Sequence, residues 1–236
     1  IEGDARLLAA FATGFALFDP ASGALEWLDR CEPAGSGRRF NDGRVDRQGR
    51  FWAGSMVEDT ARAEPYSAGL YCLGADGRAQ LRETGIGIAN GLCWSPDGRV
   101  MYFADSPRHA IHAYDFDPDT GGIGNRREFA RTAAGVEPDG SCVDAEGCVW
   151  NAQWGAGQVQ RYAPDGRVLE RVETPGAMQP TCVAFAGPAL DLLCVTTARI
   201  GLSPAALASQ AHAGDVFIYR TGARGLAESR ARWPAA

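Results

Sequence analysis

The sequence predicts an all-β protein of the β-propeller class. Turn glycines recur at a constant interval of 49 residues, at Gly49, Gly98 and Gly147. Each interval holds about four short apolar or alternating segments joined by turn residues, and apolar stripes with helical spacing are nearly absent. Four strands in each repeat of 40–50 residues are typical of a propeller blade, because one blade cannot bury both faces and stacks on its neighbours.

The strands can be placed from the turns that precede them. Asp-Gly or Pro chemistry at the three repeated turns predicts a strand directly after each. These strands are Phe51–Ser55, Val100–Asp105 and Val149–Ala152, with weaker copies at Arg6–Phe11 and Leu192–Thr197. About five blade equivalents result, the first beginning partway through.

A second hairpin is expected in each repeat. These hairpins begin near Gly14, Gly69, Ile111, Gln158 and Asp215. No linker or shift of composition interrupts the series, so residues 1–236 are predicted to form a single propeller domain.

Composition restricts the class of function. The formal net charge is −6 and no basic cluster is present, which argues against nucleic acid as a partner. No apolar run reaches the roughly 18 residues of a membrane span. The first residues show no signal-peptide pattern, and the seven cysteines are dispersed without a Cys-x-x-Cys motif. We therefore expect a cytoplasmic protein with mostly buried, reduced thiols.

A polar residue lies eight positions before each repeated turn glycine. These residues are Asn41, Asn90 and Asp139, and Thr181 occupies the corresponding place after Pro180 in a fourth copy. At the starts of innermost blade strands, such side chains would ring the mouth of the channel. Amide and carboxylate oxygens suit a hard divalent cation such as Ca²⁺, Mg²⁺ or Mn²⁺. A structural role at a strand start is the alternative for each residue taken singly, whereas three in register favour a site.

Three further candidates lie near these positions. Arg39 precedes Asn41 by two residues, so both side chains are expected on the same side of a strand. There Arg39 could bind an anion or a sugar oxygen, and the alternative is an ordinary surface charge. Asp59, in the loop after Met56, could hydrogen-bond hydroxyl groups. Asp105-Ser106 is similar to part of a catalytic pair, but no histidine is in register with it. A Gly-x-Ser-x-Gly motif is also absent, so a Ser-His-Asp hydrolase is disfavoured.

Together these motifs resemble the senescence marker protein, regucalcin and gluconolactonase family. The matching segments are Arg39–Asp46, Gly49–Met56, Asn90–Gly98, Tyr102–Ser106, Pro138–Gly140, Val143–Gly147 with Trp150, Pro180–Thr181 and Leu193–Ala198. The resemblance implies a six-bladed propeller with one divalent metal ion in its channel. It also implies an activity, the hydrolysis of a sugar lactone to its aldonic acid.

The resemblance assigns roles to individual residues. Asn90 and Asp139 correspond to metal ligands, with Asp139 also the general base, while Arg39, Asn41 and Asp59 correspond to substrate-binding residues. The Gly54-Ser55-Met56 segment departs from the family's Gly-Thr-Met. The family's third ligand, a Glu in a Gly-Glu-Gly-Pro-like motif of the first blade, has no match here. We therefore expect the N-terminal blade to be missing from this sequence. The favoured explanation is that the full protein is longer, and the alternative is a truncated form with an incomplete site.

Two other classes of function stay open at this stage. One is a non-catalytic, calcium- or metal-binding protein of the regucalcin type, and the other is a propeller interaction scaffold. Under the lactonase reading the partner is a small sugar lactone, with neither nucleic acid nor membrane involved. The metal is Ca²⁺, Mg²⁺, Mn²⁺ or Zn²⁺, since all four accept oxygen ligands.

Overall fold

The computed structural model describes residues 1–233 and is built almost wholly from β-strands. The strands are β1 (Leu7–Phe11), β2 (Gly14–Phe18), β3 (Leu25–Asp29), β4 (Arg38–Val45), β5 (Phe51–Val57), β6 (Ala68–Leu73), β7 (Ala79–Ile86), β8 (Ala89–Trp94), β9 (Val100–Asp105), β10 (Ala110–Phe116), β11 (Ile123–Arg131), β12 (Glu137–Val143), β13 (Val149–Trp154), β14 (Gln158–Tyr162), β15 (Val168–Glu173), β16 (Pro180–Ala186), β17 (Leu192–Thr197) and β18 (Val216–Tyr219). A short 3-10 helix (Ser106–Arg108) follows β9, and helix α1 (Pro204–Ser209) lies between β17 and β18.

The strands form five antiparallel sheets in chain order, each the meander of a propeller blade. Three sheets have four strands (β4 to β7, β8 to β11 and β12 to β15), and the first and last have three (β1 to β3 and β16 to β18). The predicted all-β class, the five blade equivalents and the expected strands are confirmed. A sixth blade stays a prediction.

The chain forms two compact units. The first contains Ile1–Ala89, Phe116–Gly124 and residues 228–233, and its core joins Phe15 of the first sheet to Phe40 and Ala53 of the second. The second contains Asn90–Asp115 and Asn125–Ala227.

Two apolar clusters form the core of the second unit. In one, Tyr102 and Ile111 of the third sheet pack with Val149 of the fourth. In the other, Trp150 of the fourth sheet packs with Leu193 of the last. Each sheet of this unit is thus buried against its neighbour in chain order.

A buried aspartate closes the turn after the innermost strand in two sheets. Oδ1 of Asp46 accepts hydrogen bonds from the backbone N–H groups of Gln48 and Arg50, both at 2.9 Å. Its Oδ2 accepts from Arg50 Nε at 2.7 Å and from Trp52 Nε1 at 3.0 Å. We call this arrangement the aspartate clasp; Gly49 completes it with a φ of 91° that favours glycine.

The clasp recurs in the fourth sheet. Oδ1 of Asp144 accepts from the N–H groups of Glu146 (3.0 Å) and Cys148 (2.9 Å), and its Oδ2 accepts from Trp150 Nε1 and Arg161 Nε, both at 2.9 Å. Both clasp aspartates are completely buried. Two of the three turn glycines that predicted the fold, Gly49 and Gly147, therefore lie in a repeated hydrogen-bonding arrangement.

The cysteines agree in part with the expectation. All seven are free thiols. Cys72, Cys93, Cys142 and Cys148 are buried, Cys31 and Cys194 are half-buried, and Cys182 is exposed. Within residues 1–233, no helix has the length and apolar character needed to cross a membrane.

Candidate functional site

Two of the predicted site residues, Asn41 and Asp139, lie where their strands depart from regular pairing. In β4 the register shifts between Phe40 and Asp42, which leaves Asn41 as the extra residue. In β12 it shifts between Pro138 and Ser141, around Asp139. A β-bulge bends its strand and redirects a side chain, and bulges are frequent beside functional sites. The shared register predicted from the sequence thus coincides with a shared irregularity of the backbone.

Thr181, the fourth member of that register, lies at a third bulge. In β16 the pairing shifts between Pro180 and Cys182. The Thr181 hydroxyl is 2.7 Å from that of Thr196 on the neighbouring strand. The side chain is therefore half-buried and tied to its own sheet.

A buried serine connects the Asn90 side chain to the backbone next to Asp139 within the second unit. Asn90 is 7% exposed, and its Nδ2 donates to Ser106 Oγ at 2.8 Å. Ser106 Oγ in turn donates to the carbonyl oxygen of Pro138 at 2.7 Å, one peptide unit before Asp139. One hydroxyl group thus connects the segments that carry both predicted metal ligands.

Gly91 allows the same two segments to approach closely. Its φ is +63°, and a Cβ added there would lie 2.8 Å from Ser141 Oγ and 3.0 Å from the carbonyl oxygen of Asp139. Either distance is shorter than an ordinary van der Waals contact, so only glycine fits without movement. The glycine after Asn90 therefore determines how near β12 can lie.

Asn151 supports Asp139 from the adjacent strand. It is fully buried, and its Nδ2 donates to the Asp139 carbonyl oxygen at 2.9 Å and to Ser141 Oγ at 3.0 Å. Its Oδ1 is buried and has no hydrogen-bond partner within residues 1–233. A buried acceptor left unsatisfied costs about 1–3 kcal/mol, so a hydrogen-bond donor placed beside it would stabilise the fold.

These residues fit a hard divalent cation. The predicted ligands are the amide oxygen of Asn90 and the carboxylate of Asp139, and both are oxygen ligands. The unpartnered buried oxygen of Asn151 belongs to the side chain that donates to the Asp139 carbonyl, and it is a further oxygen acceptor in this part of the unit. The donor chemistry thus agrees with the cation expected from the sequence.

Arg39 and Asn41 lie side by side in the first unit. Arg39 Nε donates to Glu58 Oε1 at 2.6 Å, while its Nη1 donates to the Phe40 carbonyl at 2.9 Å and to Asn41 Oδ1 at 3.4 Å. Asn41 Nδ2 donates to the carbonyl oxygen of Ala89 at 2.9 Å. Both side chains are therefore held in place on the same side of the strand start.

Asp59 is placed near them by its loop. The backbone N–H of Asp59 donates to the carbonyl of Gly37, immediately before β4, at 3.0 Å. Its Oδ1 accepts from the N–H of Ala61 at 2.9 Å, and its Oδ2 is 3.3 Å from Arg62 Nε. The carboxylate is 44% exposed, so it keeps access to solvent while closing its own turn.

An acidic cluster elsewhere has a structural explanation. Ligand atoms of Asp144, Glu146 and Cys148 lie within 4.8 Å of one another. Both oxygens of Asp144 already accept the hydrogen bonds of the aspartate clasp, and the exposed Glu146 pairs with Arg161 at 2.6 Å. Few lone pairs of these carboxylates are left for a cation. The cluster therefore stabilises the turn after β12.

A cavity of about 610 Å³ lies at this same end of the second unit. Its walls include Asp97, Glu146 and Asp165, in turns that follow β8, β12 and β14. Asn90 and Asp139 lie at the opposite, starting ends of β8 and β12. The cavity is therefore separate from the predicted ligands.

Three residues that contact the predicted site residues or their backbone were not predicted from the sequence. Ser106 was considered only as half of a catalytic pair, whereas it bridges Asn90 and Pro138. Glu58, the partner of Arg39, and Asn151 were not singled out. For Glu58, a signal was available in its position directly before Asp59. For Ser106 and Asn151 the sequence holds no such signal, because their buried contacts depend on cross-strand geometry.

Comparison with known proteins identifies the family. Residues 1–199 match the family model described as SMP-30/Gluconolactonase/LRE-like region. The chain is 44% identical over 226 residues to L-arabinolactonase of Azospirillum brasilense, covering 95% of this chain and 73% of that protein. It is 38% identical over 224 residues to 6-deoxy-6-sulfogluconolactonase of Pseudomonas putida, covering 94% and 75%.

A solved structure agrees with this match. The calcium-binding protein regucalcin of Agrobacterium tumefaciens has a TM-score of 0.90 and 35% identity to this chain, with 98% of this chain and 77% of that chain covered. The relatives therefore include proteins named as lactonases and one named as calcium-binding. By sequence and by fold, the chain belongs to the SMP-30/gluconolactonase/LRE-like family.

Proposed function

We propose that this chain hydrolyses a sugar lactone to its aldonic acid, using a divalent cation held by Asn90 and Asp139. The observation that carries the proposal is the bridge formed by Ser106 between the Asn90 amide and the Pro138 carbonyl, with the close approach of Gly91 to the Asp139 backbone. Two relatives named as lactonases, at 44% and 38% identity, support the reaction class.

Each ligand would contribute one kind of oxygen donor. Asn90 offers an amide oxygen and Asp139 a carboxylate, a set that suits Ca²⁺, Mg²⁺ or Mn²⁺ and also accommodates Zn²⁺. When bound, the cation supplies Lewis acidity that polarises a carbonyl group. The six-bladed ring implied by the resemblance, with a first-blade Glu as third ligand, is part of this proposal.

Asp139 is assigned the proton transfers. Its carboxylate accepts a proton from water as the water oxygen bonds to the lactone carbonyl carbon. The ring C–O bond then breaks, and the leaving alkoxide recovers that proton from Asp139. Water is thereby divided between the acid and hydroxyl groups of the open product, and the enzyme returns to its starting protonation state.

Arg39, Asn41 and Asp59 are assigned to substrate binding. The guanidinium and amide groups of Arg39 and Asn41 lie side by side, and the Asp59 carboxylate is partly open to solvent. Together they offer donors and an acceptor to sugar hydroxyl groups. Such contacts accelerate a reaction through orientation of the substrate.

The test is lactone hydrolysis measured by pH-stat on a panel of aldonolactones. Chelator-treated protein is assayed with each divalent metal added back, and spontaneous opening is subtracted. We expect Asp139→Asn to lower turnover by roughly 10²–10⁴-fold, the usual contribution of a general base. The control is Asp97→Asn, in a turn at the other end of β8. Turnover of Asp139→Asn within a few-fold of the unmodified protein would refute the assignment.

A second candidate function is metal binding without catalysis. It is favoured by the similarity to the structure named as a calcium-binding regucalcin. Metal binding with no hydrolysis of any lactone in the panel would select it. The interaction scaffold predicts instead that Asn90 and Asp139 can be replaced without loss of binding to its partner.

A further inference from the structure

We propose that Ser106 is a positioning residue for the cation site, which orients the amide of Asn90 and ties β8 to β12. The inference rests on the proposed function, because it takes Asn90 and Asp139 as the ligands. Ser106 does not touch the substrate in this proposal. Its effect is on the affinity for the cation.

The hydrogen bonds around Ser106 allow only one arrangement of protons. The carbonyl oxygen of Pro138 can only accept, so the single hydroxyl proton of Ser106 is donated to it, at 2.7 Å. The hydroxyl oxygen must then accept from Asn90 at 2.8 Å, and only the NH₂ end of that amide can donate. The nitrogen of the Asn90 amide therefore faces Ser106, and its oxygen is directed to the other side of the amide.

This matters because the two ends of an asparagine amide differ in chemistry but hardly in shape. Rotating the amide by half a turn would present NH₂ to a cation, which repels it. In such a flipped state the amide oxygen would face the hydroxyl oxygen of Ser106, whose proton is already committed to Pro138. Ser106 therefore penalises the orientation of Asn90 that cannot bind a cation.

The bridge is buried and rigidly placed. Ser106 is 2% exposed, so bulk water does not readily replace its hydroxyl. It begins the 3-10 helix, whose end is fixed by a hydrogen bond from the His109 N–H to the Ser106 carbonyl at 2.9 Å. The preceding residue, Asp105, is 1% exposed and pairs with Arg108 at 2.9 Å. The hydroxyl is thus held by the turn that carries it.

The same geometry argues against Ser106 as a nucleophile. An attacking serine passes its proton to a base, usually a histidine or carboxylate. The Ser106 proton goes to a backbone carbonyl, which is a poor base. The hydroxyl is committed to holding two segments together.

The experiment measures cation binding by isothermal titration of chelator-treated protein with Ca²⁺ and with Mn²⁺. We expect Ser106→Ala to weaken binding by roughly 10–100-fold, the usual effect of losing a partner that orients a metal ligand. Ser95→Ala is the matched control, since Ser95 is also buried in the second unit but lies in the turn after β8. Its cation affinity is expected to equal that of the unmodified protein.

A second variant keeps the test decisive if Ser106→Ala fails to fold. Ser106→Cys is nearly the same size, but its thiol is a weak donor and acceptor, so its affinity is expected between those of serine and alanine. Hydrolysis by each folded variant should recover at saturating metal, because the residue acts through the cation. Affinity unchanged in both variants would overturn the role of Ser106. No cation binding by the unmodified protein would overturn the proposed function as well.

Discussion

The close approach at Gly91 gives a prediction whose size can be worked out from the structure. Gly91→Ala places a methyl group 2.8 Å from Ser141 Oγ and 3.0 Å from the Asp139 carbonyl oxygen. A left-handed backbone costs a non-glycine residue about 1–2 kcal/mol. Overlap in a packed region adds about 1–3 kcal/mol. We expect the free energy of unfolding to fall by about 2–5 kcal/mol in total.

Gly135→Ala is the matched control for this variant. Gly135 has a φ of +79° in the same unit, yet a Cβ there would meet nothing within 4 Å. It should therefore lose only the roughly 1–2 kcal/mol of backbone strain. Unfolding in urea, followed by fluorescence, measures both variants, and titration with Ca²⁺ measures cation binding. Only Gly91→Ala should weaken binding, because only it displaces the Asp139 backbone. Equal destabilisation and equal affinity in the two variants would refute the close-approach argument.

Three further outcomes are expected. Asp144→Asn should lower the free energy of unfolding, measured by urea denaturation, by about 3–5 kcal/mol, because a neutral side chain leaves Arg161 without its buried counter-charge. The control Asp97→Asn, in an exposed turn, should lose less than about 1 kcal/mol in the same assay. Burial raises the pKa of the Cys72 thiol from 9.0 to about 11, so the unfolded chain binds fewer protons above pH 9. Stability should thus fall by roughly 2–3 kcal/mol between pH 9 and 11 under reducing conditions, and Cys72→Ala should remove this part of the pH dependence. Brief alkylation of the native protein, followed by mass spectrometry, should modify the exposed Cys182 first and Cys72 only after unfolding; equal rates would contradict the burial described.

The repeat made much of the fold predictable from the sequence. Strand length fixes the distance from a strand start to its closing turn, so the turn glycines also placed Asn41, Asn90 and Asp139 in register. The structure adds a pairing that was not predicted, between each clasp aspartate and a tryptophan six residues later, at Asp46–Trp52 and Asp144–Trp150. Both tryptophan side chains are also fully buried, so they combine packing with a hydrogen bond.

The bulges and the buried bridge were beyond sequence reasoning. A bulge depends on which partner residue is skipped, and no residue type at position 41 or 139 specifies that choice. The bridge from Ser106 requires the end of β9 to lie beside the start of β12, a relation set by packing between sheets. Likewise, the ion pair of Arg39 with Glu58 depends on how the loop after β5 folds back on Gly37.

The position of the aspartate clasps has a consequence for how this protein can diversify. Asp46 and Asp144 close the finishing ends of β4 and β12, whereas the site residues Asn41 and Asp139 lie near the starting ends. Each of these two sheets thus has its anchoring hydrogen bonds and its proposed site residue at different ends of the same strand. Substitutions that retune substrate preference at a starting end leave the anchor untouched. Residues at the starting ends of β4 and β12 can therefore change without loss of the hydrogen bonds that stabilise the other ends. Directed evolution of new specificity should concentrate on these starting ends.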